Sequence, residues 1–283
     1  MRRFRLNDKR AAVLFLFPSA AGLILFFLFP FADTVKRSLF NAVGSKFMKL
    51  QNYDSVIKNP SFMLAAKNTG KFLGICIPLL LIISLLLALL MHYIRPGGRK
   101  LKTLYLLPMA VPVSAVVFIW QILFHERGLV NSALSLLGIA GTDFMNSSAA
   151  FWVLVGTYLW KNTGYDMILW MAGLDGISES IYEAAHVDGA GSVRCFLYIT
   201  LPSLLPTSAM VTVISLLNGF KVFREAFLVA GAYPNDSIYL LQHLMNNWFT
   251  NMDISRLCAL AVLLSGVLLV IILCVQHFLH GDD

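Results

Sequence analysis

The sequence predicts an all-α integral membrane protein with six transmembrane helices. Hydrophobic residues make up 58% of the 283-residue chain and charged residues only 13%, whereas soluble domains run nearer a quarter charged. Six mostly apolar runs, at 11–31, 72–92, 103–124, 149–172, 204–222 and 257–275, each approach the roughly 20 residues a helix needs to cross the hydrocarbon core. The second half does not repeat the first and no stretch is of low complexity, so residues 1–283 read as one membrane domain.

The first run follows Arg2-Arg3-Phe4-Arg5, as the core of an export signal would. It is too long for a signal core and lacks a small-residue cleavage site before Asp33, so it reads as a retained span. Pro18, Pro78, Pro112 and Pro206 lie inside the runs, where neighbouring helices re-satisfy the freed backbone groups. The four cysteines (Cys76, Cys195, Cys258, Cys274) form no CxxC or Cys/His cluster, so structural zinc and disulfides are not expected. The formal charge of +7 is scattered between apolar spans and makes no basic face for nucleic acid. Basic residues divide almost evenly between the two sides. They are densest at the N-terminus and after the second run, which favours both termini in the cytoplasm without deciding it.

Between the fourth and fifth runs lies a polar, amphipathic loop, 179–202. Glu179, Glu183 and His186 recur near one helical face, Ala184 and Ala185 admit a close neighbour, and Gly189 and Gly191 permit a sharp turn. A helix–turn–helix knuckle at a membrane face is the expected form, suited to a groove on a partner.

That loop resembles the EAA signature of ABC importer permeases. Glu183-Ala184-Ala185, three residues, Gly189, nine residues, then Ile199-x-Leu201-Pro202 fill every fixed position of the signature. Phe17-Pro18-Ser19, Phe29-Pro30-Phe31, Asn52-Tyr53, Asn59-Pro60-Ser61-Phe62, Asn68-Thr69, Leu107-Pro108, Pro112, Trp120, Gly128-Leu129-Val130-Asn131 and Ala172-Gly173-Leu174 extend the likeness to the sugar and glycerol-phosphate branch. Ser178 departs from a usual proline, and Gly231-Ala232-Tyr233-Pro234 departs from a common Gly-Gly-Pro.

The resemblance implies the type I importer permease fold in a bacterial plasma or inner membrane, with cytoplasmic EAA coupling helices. Glu183, Ala184, Ala185, Asp188, Gly189 and Ala190 would meet an ABC ATPase. Its implied partners are a second homologous permease, two ATPase copies, an extracellular solute-binding protein and the surrounding lipid. The solute would be a sugar or oligosaccharide. No Walker sequence for cradling ATP phosphates is present, so ATP belongs to the partner and no cofactor is expected here.

Polar residues inside spans are costly and mark pathways. At about 100° per residue, Tyr158, Lys161, Asn162, Tyr165 and Asp166 form one stripe on the fourth run, and Ser208, Thr212, Ser215, Asn218 and Gly219 form one on the fifth. Trp160, Tyr158 and Phe220 are placed to stack on sugar faces. In maltose-type relatives, solute contacts fall at the positions of Tyr158, Lys161, Asn162, Tyr165, Ser215, Asn218 and Gly219, with identities only partly shared. Ordinary interhelical hydrogen bonding is the competing reading, including a pair between Lys161 and Asp166 or an acid on the second permease. A secondary transporter also fits such stripes but has no use for the EAA loop. Enzyme chemistry finds no constellation at membrane depth; His125 and His277 are isolated in the sequence.

Overall fold

The computed structural model describes residues 8–93 and 98–280. The Arg2, Arg3 and Arg5 charges at the N-terminus and Arg95 after the second run, which bear on orientation, lie outside them. In chain order the helices are α1 (Asp8–Leu23), α2 (Phe29–Ser38), α3 (Gln51–Ile57), α4 (Pro60–Tyr93), α5 (Gly98–Ala110), α6 (Val113–Leu123), α7 (Leu129–Leu136), α8 (Ala150–Asp175), α9 (Glu179–Val187), α10 (Ser192–Cys195), α11 (Leu201–Ser203), α12 (Leu205–Lys221), α13 (Phe223–Ala230), α14 (Leu241–Thr250) and α15 (Ile254–His280). Short π-helical turns join α1 to α2 and α10 to α11. Among the described residues the sole extended pairing is the bridge between Phe40 and Phe47.

Among the described residues three helices are long and apolar enough to cross a membrane unaided: Val13–Ser38, Pro60–His92 and Ile254–His277. Two bent pairs, Leu104–Ala110 with Val113–Leu123 at 97° and Ser192–Ser203 with Leu205–Ala230 at 63°, bring the count to five if each is taken as one span. The run expected at 103–124 is therefore broken in the middle. Pro112 causes this: its φ of −57° and ψ of 141° are not helical, it donates no N–H, and its ring drives Val111 out of the α region. Helix α8 has the length of a span at 26 residues but is not among the strongly apolar ones, because Thr157, Lys161, Asn162, Thr163 and Asp166 dilute it.

The chain divides into two compact units. One comprises residues 1–59 and 245–267. Its Val13–Ser38 helix is apolar all round up to Ala32, with none of its hydrophobic window buried inside the chain, as befits a surface meant for lipid or another subunit. Asn52 fastens the turn after α2, donating to the carbonyls of Ser38 and Phe40 at 2.8 Å each. Tyr53 meets the Ser38 hydroxyl at 2.6 Å, and Arg256 donates to Ser55 at 2.8 Å.

The other unit comprises residues 60–244 and 268–283. Its centre is α4 packed on α8, with α5 and α12 against α8. Phe72, Cys76, Leu80, Phe151, Leu154, Tyr158, Val222 and Ala226 form one buried cluster, and Met91, Met167, Trp170, Leu174, Leu204 and Val211 belong to another. Polar staples cross the packing. Trp170 donates to Ser84 Oγ at 3.0 Å, Asn68 donates to the carbonyls of Asp236 and Tyr239, and Thr69 Oγ1 accepts from the Leu241 N–H at 3.0 Å. Asn131 holds the loop between α6 and α8, donating to His125 and Thr142 carbonyls and accepting from the Thr142 N–H. His243 is fully buried beside Phe223, Phe227 and Tyr239. Burial pulls its pKa down to about 4, so it is neutral near pH 7.

At Gly164 the backbones of α8 and α5 touch: an added Cβ would overlap the Tyr105 carbonyl. Only glycine permits that approach.

Candidate coupling loop and transport cavity

The 179–202 loop folds as the knuckle its spacing predicts. Helix α9 begins after Ser178, whose φ of −65° is the value a proline ring would fix. The helix ends in a Schellman turn: the Gly189 N–H reaches the His186 carbonyl at 3.0 Å and the Ala190 N–H reaches Ala185 at 2.8 Å. Gly189 has φ +81°, a left-handed conformation that a β-branched residue would strain. His186 Nδ1 donates to the Ala190 carbonyl at 3.0 Å, closing the turn from the side. Gly191 then starts α10 in extended backbone.

No residue of α9 is buried. Glu183, Ala184, Asp188 and Gly189 are exposed, Ala185 and Ala190 partly so. Val187 is 87% exposed and Val193 73%. The knuckle thus presents a carboxylate, two small side chains and naked apolar groups while its backbone bonds are satisfied internally, which is the composition of a docking surface. It is tied to its own unit by Tyr182, whose hydroxyl meets Thr200 Oγ1 at 2.8 Å. Behind it lies a groove of about 600 Å³ lined by Leu89, His92, Leu174, Tyr182, Phe196 and Thr200 among others.

The two polar stripes meet along α8 and α12, but not all of their members remain open. Ser215 is completely buried and donates to Asp166 Oδ2 at 2.6 Å. Tyr158 is 2% exposed, and its hydroxyl donates to the Ser215 carbonyl at 2.6 Å. Gly219 is buried where a Cβ would strike Leu73. Asp166 does not pair with Lys161. Instead Lys161 Nζ sits 2.7 Å from Glu225 Oε1, with side-chain exposures of 17% and 8%. Glu225 lies on α13, outside both stripes, and the sequence reading missed it. Its position one turn beyond Lys221 on an apolar helix was the available signal.

Around that ion pair is a cavity of about 140 Å³ lined by Tyr158, Lys161, Asn162, Asn218, Lys221, Arg224 and Glu225 with Met109, Val113, Thr157 and Val222. Asn162 donates to the Tyr158 carbonyl at 2.8 Å, leaving its amide oxygen to accept. Asn218 accepts from Lys221 Nζ at 2.9 Å, leaving its amide group to donate. One acceptor and one donor on a polar wall match the hydroxyls of a sugar. Tyr165 is half-buried and lies off this lining; Trp160 is exposed against Trp120, with ring centroids 5.9 Å apart. Among the described residues no group of three or more His, Cys, Asp or Glu stands together to hold a metal ion.

Residues 80–280 match the family of binding-protein-dependent transport system inner membrane components. The chain belongs to that family. It is 32% identical over 267 residues to the sulfoquinovosyl glycerol transport system permease protein SmoG of Agrobacterium fabrum, covering 92% of this chain and 87% of that one. It is 30% identical over 272 residues to the sn-glycerol-3-phosphate transport system permease protein UgpA of Yersinia pestis, with 94% and 92% covered. Its fold matches a chain of a bacterial ABC transporter involved in alginate import, at a TM-score of 0.82 with 22% identity and 96% of each chain covered. A second match, at TM-score 0.81 and 21% identity, comes from the alginate transporter in complex with its alginate pentasaccharide-bound periplasmic protein. The protein is therefore a multi-pass membrane permease of a binding-protein-dependent transport system, and its relatives are permease subunits rather than enzymes.

Proposed function

We propose that this permease imports a sugar-like solute, forming half of a translocation pathway whose other half is a second, homologous permease. Two copies of an ABC ATPase bind and hydrolyse the ATP, so this subunit needs no cofactor. The knuckle carries the reading: Glu183, Ala184, Ala185, Asp188, Gly189 and Ala190 form an exposed turn whose backbone is already satisfied. Such a turn is rigid enough to transmit a push. Docked in a groove of the ATPase it would move with ATP-driven closure, and the spans would rock between inward- and outward-facing arrangements. That docking puts the loop and both termini in the cytoplasm.

Tyr158, Lys161, Asn162, Tyr165, Ser215, Asn218 and Gly219 are the proposed pathway residues, in two ranks. Lys161, Asn162 and Asn218 offer polar atoms to the cavity. Tyr158 and Ser215 hold α8 and α12 at the separation that keeps it open, Gly219 lets α12 close on Leu73 of α4, and Tyr165 flanks it on α8. The sulfoquinovosyl glycerol and glycerol-3-phosphate permeases among the matched relatives support a small polyhydroxylated solute.

The test is energetic. The permeases, ATPases and binding protein are reconstituted together and ATP hydrolysis is followed. Loaded binding protein should raise the rate several-fold. Uptake driven by an ion gradient without ATP would instead make the chain a secondary transporter.

A further inference from the structure

We propose that the solute carries an acidic group, and that Lys221 and Arg224 select it; this rests on the transport reading above. The cavity is lined by three cations, Lys161, Lys221 and Arg224, and one carboxylate, Glu225. Their pairing is unequal. Lys161 and Glu225 are 2.7 Å apart and mostly shielded, so each neutralises the other. Lys221 has only a neutral partner, the Asn218 amide oxygen at 2.9 Å. Arg224 has no side-chain partner in the structure among the described residues. Two positive charges therefore border one small cavity whose single carboxylate is already engaged by Lys161.

A concave site with low-dielectric walls concentrates such a potential and raises the local concentration of anions. A neutral sugar gains hydrogen bonds here, from Asn162 and Asn218 and from the two cations, but no net charge attraction. A carboxylate, phosphate or sulfonate on the sugar would gain charge-assisted hydrogen bonds, the planar guanidinium gripping two oxygens and the ammonium sharing one of them or, on phosphate and sulfonate, taking a third. Glu225 sharpens the selection. Without it Lys161 would be an unpaired cation deep in the cavity; with it, the anion is held at Lys221 and Arg224 and the polar wall is left for the ring. Exposed basic residues near a membrane face also reach toward lipid phosphates, but here both side chains belong to the lining shared with Asn162 and Asn218.

The test uses the whole complex in nanodiscs of zwitterionic lipid, with glucose, glucuronate and glucose 6-phosphate as probes. Affinities are measured by calorimetry, and the binding protein's own affinities are measured separately. Both acidic sugars should bind on the order of ten-fold more tightly than glucose. Lys221→Gln with Arg224→Gln should reduce them to the glucose level, and Arg224→Lys, which keeps the charge, should retain most of the preference. Equal or absent binding of the three probes, or an unchanged preference in the double variant, overturns the inference. It is equally overturned if the double variant alters only the response to added phosphatidylglycerol, or only the hold on the second permease. The same samples report ATP hydrolysis by the unsubstituted complex. Stimulation by loaded binding protein without an acidic preference sinks this inference alone; no stimulation sinks the transport reading itself.

Discussion

In the knuckle, the bonds that set the geometry join near neighbours, such as Ala190 to Ala185 and His186 to Ala190, and the longest tie, Tyr182 to Thr200, spans 18 positions. Around the cavity they join residues 49, 57 and 64 positions apart: Ser215 to Asp166, Tyr158 to Ser215, and Lys161 to Glu225. One region is local, exposed and prefolded. The other exists only once α8, α12 and α13 have packed. A local turn can be handed to a partner as a finished shape, whereas a long-range polar seam is sensitive to every helix that contributes to it.

The sharpest way to break the contrast is at Gly189. Gly189→Val forces a β-branched residue to φ +81° and should destroy the turn without touching the distant seam. Uptake should fall to background while the complex assembles and the binding protein keeps its solute affinity. Normal uptake by a properly inserted variant would remove the loop from any coupling role.

The seam is tested at Lys161 and Glu225. Removing one partner of a buried ion pair costs about 3–5 kcal/mol, while replacing both by apolar groups is often neutral. Lys161→Met or Glu225→Met alone should lower the thermal midpoint of the purified complex strongly, and the double variant should recover most of it. If each single change costs no more than about 1 kcal/mol, as for exposed pairs, the pair is solvated and the seam is looser than drawn. The smallest effect belongs to the tie between the knuckle and its unit. Tyr182→Phe deletes one hydroxyl contact with Thr200, worth about 0.5–1.5 kcal/mol. It should loosen amide-exchange protection around α9 more than around α8; equal loosening of both would mean that the knuckle is not a separate unit of stability.

What could be read from sequence follows the same division. The knuckle was legible because its determinants are contiguous: small residues, two glycines and a helix start within one short segment. Three apolar spans were legible for the same reason, whereas the bends at Pro112 and between Ser203 and Leu205 were not, since their direction depends on neighbours the sequence does not rank. The residues that carried the family resemblance turn out to have plain mechanical tasks. Asn52 fastens the turn after α2, Asn68 the 236–241 segment and Asn131 the loop after α6. The stripes fell on two helices that do pack together, but periodicity gives an angle and not a depth. It placed Ser215 and Asn218 on one face without revealing that the first is sealed against Asp166 while the second lines a cavity. Glu225 carried a local signal, one turn beyond Lys221, but its pairing with Lys161 was invisible because the two stand 64 positions apart.

The contact at Gly164 bears on how such a permease is able to move. Where the α8 backbone lies against the Tyr105 carbonyl, both neighbours of the glycine, Thr163 and Tyr165, carry a Cβ. Turning α8 about its own axis by one residue would drive one of those carbons into α5, as a pawl stops a ratchet wheel. While α8 stays packed on α5 it is therefore held against a turn of that size, and the bearing of Lys161 and Asn162 is set by the same contact.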